Sequence, residues 1–354
     1  MTALAPAPSN DIRLTTLHAT RGANFWSTRP VTRMDVAVGP YDHISSADIP
    51  GLTEQLVLAL PGLTEHECSI GEPGGFITRL RRGTYAPHII EHVALELQTM
   101  IGHEVGFGRT RGGDVDGEYT IVFEHRHEQV GLRAAALALE TVQRAFAGTL
   151  APQHVASAVR ELAALASTPD APPIAHRVTA GVTGGSGRAE CVVLLHAALG
   201  PDDDEHLLID VAPAFILYAG LPYARSRVAI ILDTSLGDVP QRYQKSEAAR
   251  RLVGTLIDSV PRGGFVVCPA NEPELQEEAR SAGCRVAVFA TDESVSENAM
   301  EIATAIGRVR DGAIIVEHCD DAECVSQLQE DQPARAQIAA AVAAYILRDA
   351  GLQR

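Results

Sequence analysis

One segment of the sequence, PHIIEHVALE at residues 87–96, carries side chains that could bind a metal ion. On an α-helix, residues three and four positions apart share a face, so His88, Glu91 and His92 would project together. Two imidazoles one turn apart can hold a zinc ion, and a carboxylate between them can take a proton from metal-bound water. We therefore expect His88 and His92 to be metal ligands and Glu91 to be a catalytic base. The alternative is a surface helix whose polar residues are only solvated.

A catalytic zinc ion usually has three protein ligands, so a third must come from outside this segment. We expect it to be Glu128, because a helix that begins there could direct its first-turn carboxylate at the metal. Glu124 ends a predicted strand, and its side chain could alternate to the other face. His66 and Cys68 are further candidates, although an ordinary loop histidine and a small buried thiol are the more common explanations.

Arginine and glycine are concentrated on both sides of the histidine segment. Glycine lets the backbone approach a ligand closely, and guanidinium groups bind carboxylates in pairs of hydrogen bonds. We assign five residues as candidate substrate ligands: Arg79, Arg82, Arg109, Arg111 and Asp114. The aspartate could receive a guanidinium group. The alternative is an exposed loop with balanced charge.

Apolar periodicity predicts the elements that must position these residues. Helices are expected at 53–60, 86–101, 129–147 and 153–166, with a strand at 119–123. These elements predict an α+β domain over residues 1–166. A polar stretch at 167–176 with three prolines is typical of a linker.

After the linker, short apolar runs alternate with helical stretches, which is typical of a three-layer α/β domain with a mostly parallel sheet. This domain is expected over residues 177–354. The predicted strands are 191–195, 207–211, 228–232, 265–268, 285–289 and 313–316. The predicted helices are 246–259, 272–282 and 335–348.

Composition limits the partners and the location of the protein. The chain has 354 residues, a formal net charge of −16 and a single lysine, Lys245, which argues against a nucleic-acid partner. No apolar run is long enough for a membrane span, and the first residues do not follow a signal-peptide pattern. Six scattered cysteines without a C-x-x-C pair fit reduced thiols. We therefore expect a cytoplasmic protein with no membrane partner.

The first half resembles the N-terminal domain of cyanophycin synthetase. The resemblance rests on TRGANFWS at 20–27, GTYAPHIIEHVALELQ at 83–98 and VGFGRTR at 105–111. In that family the domain binds cyanophycin, an aspartate polymer with arginine side groups, and in some members it is a metal-dependent hydrolase. The resemblance thus implies a zwitterionic substrate, for which interleaved arginine and acidic side chains are suitable receptors.

The second half resembles the Mur-ligase-like central domain of the same synthetase. The segment VTGGSGRAE at 182–190 stands where the family has a phosphate loop ending in Gly-Lys-Thr. Arg188 and Ala189 replace the lysine and the magnesium-binding hydroxyl, so the resemblance implies that chemistry with ATP and magnesium is impaired. We expect no cofactor-binding residues there.

The hypothesis from these observations is a stand-alone, zinc-dependent cyanophycin hydrolase of the metallopeptidase type. The N-terminal domain would be metallohydrolase-like, Zn²⁺ the cofactor, cyanophycin or its peptides the partner, and the protein a homodimer. One alternative is a non-catalytic protein that binds cyanophycin or regulates the synthetase. A weaker alternative is an ATP-dependent amide ligase.

Overall fold

The computed structural model describes residues 11–171, 174–200, 207–292, 294–318 and 321–348. The chain divides into two compact units. Unit 1 comprises Met1–Arg21 and Arg29–Pro172, and unit 2 comprises Gly22–Thr28 and Pro173–Arg354. The short segment Gly22–Thr28, which we had expected in the N-terminal domain, thus belongs to unit 2. Residues 172–173 of the predicted linker lie outside the described residues.

Unit 1 consists of a four-stranded antiparallel sheet and five α-helices over the residues described. The elements are β1 (Arg13–Ala19), β2 (Val31–Ala37), α1 (Leu52–Ala59), α2 (Gly75–Arg82), α3 (Ala86–Thr99), β3 (Gly108–Gly112), β4 (Glu118–Glu124), α4 (Glu128–Phe146) and α5 (Pro152–Ala166). The strand order is β1-β2-β4-β3. The four helices and the strand predicted for this region are confirmed to within two residues at each end. Strands β1, β2 and β3 and helix α2 were not predicted. Strand β1 is largely exposed and β3 has no apolar residue, so neither shows a buried alternating pattern.

Helix α3 lies at the centre of unit 1, where it contacts α4, α5, β3 and β4. Pro87 lies in its first turn, where a missing N–H costs no hydrogen bond. Almost every residue of α3 is buried, including the polar Glu91, His92, Glu96 and Gln98. Because a buried polar group is costly without a partner, these side chains require hydrogen-bond partners from the surrounding elements. The solvated surface helix that we weighed as an alternative is therefore excluded.

Unit 2 is an α/β unit built on one eight-stranded sheet, counted over the described residues. The elements are β5 (Ala175–Thr183), α6 (Arg188–Leu199), β6 (Leu208–Asp210), α7 (Pro213–Ala219), β7 (Tyr223–Ile231), α8 (Ser246–Gly254), β8 (Phe265–Pro269), α9 (Pro273–Ser281), β9 (Arg285–Phe289), α10 (Glu297–Ile302), β10 (Ala303–Arg310), β11 (Ala313–His318), β12 (Asp321–Gln327) and α11 (Ala334–Arg348). The strand order is β12-β11-β10-β9-β8-β7-β5-β6.

The sheet of unit 2 is mostly parallel, as predicted. Neighbouring strands are parallel from β10 through β9, β8, β7 and β5 to β6. Strands β11 and β12 add antiparallel pairs at the β10 edge. Helices α6 and α11 share one buried cluster with Val228 and Ile230 of β7, and α7, α8 and α9 share another with Ala229 and Ile231. Successive residues of a strand face opposite sides, so the helices cover both faces of the sheet in three layers.

The predicted strand at 191–195 is wrong, since these residues lie within helix α6. Only Cys191 and Leu195 of this run are fully buried, and they are four residues apart, which is a helical spacing. Val193 is 68% exposed. A short run of apolar residues is typical of a buried strand, but the structure buries only one side of this run, as in a helix.

Within the described residues, no helix combines the length and the hydropathy needed to cross a bilayer.

A buried histidine, His125, is expected to make unit 1 sensitive to acid. It is 5% exposed, and its Nδ1 lies 3.0 Å from Thr32 Oγ1. Burial lowers the pKa of His125 from 6.5 to about 4, against the opposing effect of the Asp170 carboxylate. Because the pKa is lower in the folded state, its contribution to stability is complete above pH 6.5 and is lost as the pH falls to about 4. We expect this to remove roughly 3 kcal/mol from the free energy of unfolding.

Urea denaturation at several pH values between 4 and 7 would measure this loss. The His125→Gln variant should show a shallower pH dependence than the unmodified protein. His43, whose side chain is 93% exposed, provides the control, because His43→Gln should leave the pH dependence unchanged. An equal slope for the unmodified protein and His125→Gln would contradict the prediction.

Candidate functional site

A cavity of about 840 Å³ opens beside helix α3 in unit 1. Its walls come from α2, α3, β3 and the loop that precedes α2. The residues that line it are Glu65, His66, Glu67, Cys68, Ser69, Arg79, Thr84, Tyr85, Pro87, His88, Glu91, His92, Leu95, Val105, Gly106, Gly108, Arg109, Thr110 and Tyr119. All of the predicted α3 site residues are therefore brought to one cavity.

Three potential metal ligands meet in this cavity: Cys68, His88 and His92. One ligand atom from each lies within 4.8 Å of the others. The Sγ of Cys68 is 3.4 Å from Nε2 of His88. Tetrahedral zinc with ordinary bond lengths places sulfur and nitrogen ligands about 3.6 Å apart, so this donor set fits a single divalent ion. Cys68 was only a reserve candidate in the sequence.

Both histidines are suited to metal binding because they are held neutral. Burial lowers the pKa of His88 to about 4, and Arg79 adds to this effect. Burial also lowers the pKa of His92 to about 2, with His88 and His66 lowering it further. A neutral imidazole keeps one nitrogen lone pair free for a metal ion.

Neighbouring side chains fix the orientation of both rings. Thr84 Oγ1 lies 2.8 Å from Nδ1 of His88, which leaves Nε2 on the side of Cys68. Nδ1 of His92 lies 2.8 Å from Nδ1 of His66, whose Nε2 is 3.3 Å from Glu96 Oε2. Phe76 stacks on His92 with ring centroids 3.9 Å apart. Contacts of this kind orient metal ligands and limit the rotation of their rings.

The backbone at Cys68 is in the left-handed region, with φ of +53°. A non-glycine residue rarely adopts this conformation, which costs about 1 kcal/mol or more. Cys68 begins a single 3₁₀ turn, Cys68–Ile70, that ends at Gly71. This turn places the thiol beside His88. The sequence analysis ranked Cys68 only as a further candidate, because no local pattern indicates this position.

Glu91 lies in the same cavity, and its carboxylate is almost fully buried. Thr110 Oγ1 donates a hydrogen bond of 2.5 Å to its Oε2. Burial raises the pKa of Glu91 to about 7, although the Thr110 hydrogen bond and Arg109 oppose the rise. A Cβ atom placed on Gly108 would lie only 2.7 Å from Glu91 Oε1, so the glycine is required for β3 to pass this carboxylate.

Glu128 is not brought to the histidines, which corrects its predicted role as the third metal ligand. It is the first residue of α4, and its Oε2 accepts a 2.7 Å hydrogen bond from Nε of Arg21. Glu124 is also engaged elsewhere, since its Oε1 accepts from Nη1 of Arg29 at 3.1 Å. Both carboxylates are therefore neutralised by arginines, and the thiol of Cys68 takes the position beside the imidazoles.

Only some of the predicted substrate ligands reach the cavity. Arg79 and Arg109 line it, and so do the carboxylates of Glu65 and Glu67. Arg82, Arg111 and Asp114 are exposed and are not among its lining residues. Arg79 lies in the last turn of α2 and Arg109 in β3, so groups from two different elements face one ligand space.

In unit 2, side chains of the protein itself bind the backbone of the glycine loop between β5 and α6. Arg188 donates to the carbonyl oxygens of Gly184 at 2.5 Å and Gly185 at 3.2 Å, and to Oδ1 of Asp210 at 2.8 Å. The N–H of Gly185 donates to Oδ1 of Asp233, which is also paired with Arg335. A carboxylate therefore occupies a backbone donor that a phosphate would need, so these residues do not fit ATP with magnesium.

Comparison with known proteins identifies relatives for part of unit 1. Residues 33–147 match the family described as the cyanophycin synthase-like N-terminal domain. The chain is 46% identical over 123 residues to a cyanophycin synthetase of Synechocystis sp., which covers 34% of this chain and 14% of that protein. It is 43% identical over 136 residues to a cyanophycin synthetase of Trichormus variabilis, covering 37% and 15%. The chain thus matches only a small part of the length of these relatives.

Two solved structures from Acinetobacter baumannii resemble the chain weakly. One is a UDP-N-acetylmuramoylalanyl-D-glutamyl-2,6-diaminopimelate-D-alanyl-D-alanyl ligase, with a TM-score of 0.33, 11% identity, and coverage of 50% of this chain and 44% of that one. The other is MurF, with a TM-score of 0.33, 12% identity, and coverage of 67% and 49%. The Mur-ligase-like character of unit 2 thus stays an expectation from the sequence.

The predicted hydrolase activity is wrong. The relatives that share 43–46% identity with 123 to 136 residues of this chain are named as synthetases of cyanophycin, not as enzymes that cleave it. This overturns the zinc metallopeptidase, or cyanophycinase, with Glu91 as its catalytic base, and the description of unit 1 as metallohydrolase-like is not retained. The H-x-x-E-H spacing specifies which side chains share a helical face, but it does not specify which reaction follows.

Proposed function

We propose that unit 1 is a binding domain for cyanophycin or its peptides, and that the cavity beside α3 is the binding site. The observation that supports this most directly is that residues of both charges line one cavity. Arg79 and Arg109 face the same space as Glu65 and Glu67. All four lie within the residues that match the cyanophycin synthase-like domain.

The chemistry of the polymer matches these lining residues. Each repeat of cyanophycin presents a carboxylate and a guanidinium group, so a receptor needs donors for one and acceptors for the other. Arginine binds carboxylates through paired hydrogen bonds, and glutamate accepts such bonds from guanidinium. The volume of about 840 Å³ lies within the range of ordinary ligand sites and accommodates more than one side group.

The same proposal includes a divalent cation bound by Cys68, His88 and His92. The neutral imidazoles, the adjacent thiol and the strained backbone of Cys68 support it. Thiolate and imidazole donors suit Zn²⁺ among other divalent ions. When bound, the cation would supply a Lewis-acidic centre held by these three residues. The predicted homodimer and the cytoplasmic location stay predictions.

The two cavity arginines provide the test. The double variant Arg79→Glu/Arg109→Glu is expected to weaken binding of the full chain to insoluble cyanophycin roughly 100-fold, because two charge-assisted hydrogen bonds are lost. Co-sedimentation at low ionic strength measures this. Arg82→Glu/Arg111→Glu makes the same change of charge on arginines outside the cavity, and should weaken binding less than threefold.

Two results would contradict the proposal. One is the absence of co-sedimentation by the unmodified protein. The other is an equal loss in both double variants, which would show that binding depends on overall charge and not on the cavity.

A further inference from the structure

Unit 2 contains a charged cavity at the end of the sheet where the parallel strands begin. It has a volume of about 250 Å³ and is lined by the four arginines Arg177, Arg227, Arg262 and Arg285. We call it the arginine cavity. Its other lining residues are Val228, Pro261, Gly263, Gly264, Phe265, Ile346 and Leu347. None of these is acidic, so no carboxylate among the described residues lines the cavity.

The arrangement arises from neighbouring strands of the sheet. Arg177 is the third residue of β5, Arg227 lies in β7, and Arg285 begins β9, while Arg262 is in the turn that precedes β8. Val228 and Arg285 are both in register with Phe265, the first residue of β8, so these positions lie level across the sheet. The sequence gives no indication of this cluster because its members are 23 or more residues apart, or on separate elements.

One of the four guanidinium groups is held in place by the protein. Nε of Arg285 donates to the carbonyl oxygen of Gly263 at 2.9 Å, and its guanidinium carbon lies 4.1 Å from the centre of the Phe265 ring. These contacts leave the two terminal amino groups of Arg285 as donors for a ligand. A guanidinium group fixed in this way loses little conformational freedom when it binds.

The four arginines have no counter-ion within the described part of unit 2. Other arginines of this chain pair with carboxylates, among them Arg21 with Glu128, Arg133 with Glu161 and Arg308 with Glu317. The lack of such pairs here is notable in a protein with a net charge of −16. Like charges gathered around one small cavity repel one another, and a bound anion would offset that repulsion.

We propose that the arginine cavity binds a small, doubly charged oxyanion. The volume is below that of most sites for drug-sized ligands, which favours a single phosphate group or a short dicarboxylate over a nucleotide. Both carry oxygen pairs that accept paired hydrogen bonds from guanidinium. The site is distinct from the glycine loop at the end of β5, where Asp233 accepts from the N–H of Gly185 and Arg188 donates to the carbonyl oxygen of Gly184.

Isothermal titration calorimetry on the full chain at low ionic strength tests this, with inorganic phosphate and succinate as separate probes. We expect at least one anion to bind. Arg177→Gln/Arg262→Gln removes the two exposed arginines of the cavity and should raise the dissociation constant at least tenfold. Because both side chains are exposed, the double variant should fold, and circular dichroism melting curves would check this.

The matched control is Arg280→Gln/Arg310→Gln, which makes the same change of charge on exposed arginines that do not line the cavity. It should change the dissociation constant less than twofold. Tighter binding of phosphate would assign the site to phosphorylated ligands, and tighter binding of succinate to carboxylates. No heat with either anion, or an equal loss in the two double variants, would overturn the proposal.

Discussion

Replacing His92 with glutamine is expected to abolish tight binding of a divalent cation by unit 1. His92 contributes one of three potential ligand atoms that lie within 4.8 Å of one another. Its ring is fixed between Phe76 and His66. Loss of a residue that only orients a ligand typically costs 10–100-fold in affinity, so loss of the ligand itself should cost at least about 100-fold. Titration of the metal-free full chain with zinc chloride, followed by calorimetry, measures the change.

Cobalt provides a second measurement that reports on Cys68 directly. A thiolate bound to Co²⁺ gives a charge-transfer absorption that imidazole ligands do not give. We expect this band in the unmodified protein and its loss in Cys68→Ser, even if some cobalt is still bound by the histidines. The band would also identify the thiol as a ligand independently of any effect of the substitutions on stability.

Glu128→Gln is the control for both measurements. Its carboxylate is paired with Arg21, so the variant should bind zinc and cobalt as the unmodified protein does. Strong loss of binding in Glu128→Gln together with unchanged binding in Cys68→Ser would restore the ligand set expected from the sequence and refute the one assigned from the structure.

Substituting Gly108 by alanine should destabilise unit 1 by about 2 kcal/mol, as overpacking of a filled site usually does. The added Cβ would lie 2.7 Å from Oε1 and 2.8 Å from Cγ of Glu91, which is too close for either atom. Glu91 cannot move freely, because it is buried and accepts the hydrogen bond of Thr110. Thermal unfolding should show a midpoint roughly 5 °C lower than that of the unmodified protein.

The same strand contains a matched control. An added Cβ at Gly112, also in β3, meets nothing within 4 Å, so Gly112→Ala should change the midpoint by less than about 1 °C. In addition, Glu91→Ala removes the atoms that the new methyl group would meet. The double variant Gly108→Ala/Glu91→Ala should therefore be more stable than the sum of the single effects predicts. Additive effects would show that Gly108 and Glu91 are not in contact.

Helix α3, which carries three of the site residues, was predictable because its signal is local, whereas α2 and β3, which also line the cavity, were not predicted. Residues 86–101 have apolar side chains at helical spacing and a proline in the first turn, and the structure has a helix at Ala86–Thr99. The alternation of strands and helices in the second half likewise predicted a mostly parallel sheet. The failure at 191–195 arose because an apolar run of five residues fits both a buried strand and one side of a helix, and only its burial distinguishes the two.

The sequence by itself determined that His88, Glu91 and His92 share one face, since the 3.6-residue period of a helix requires it. Only the tertiary structure decided their surroundings. The loop that carries His66 and Cys68, the strand that carries Thr110, and the arginines that neutralise Glu124 and Glu128 come from distant parts of the chain. Periodicity is a property of neighbouring residues, whereas the partners of a buried polar group depend on how separate elements pack. The ligand set therefore had to be found in the folded chain.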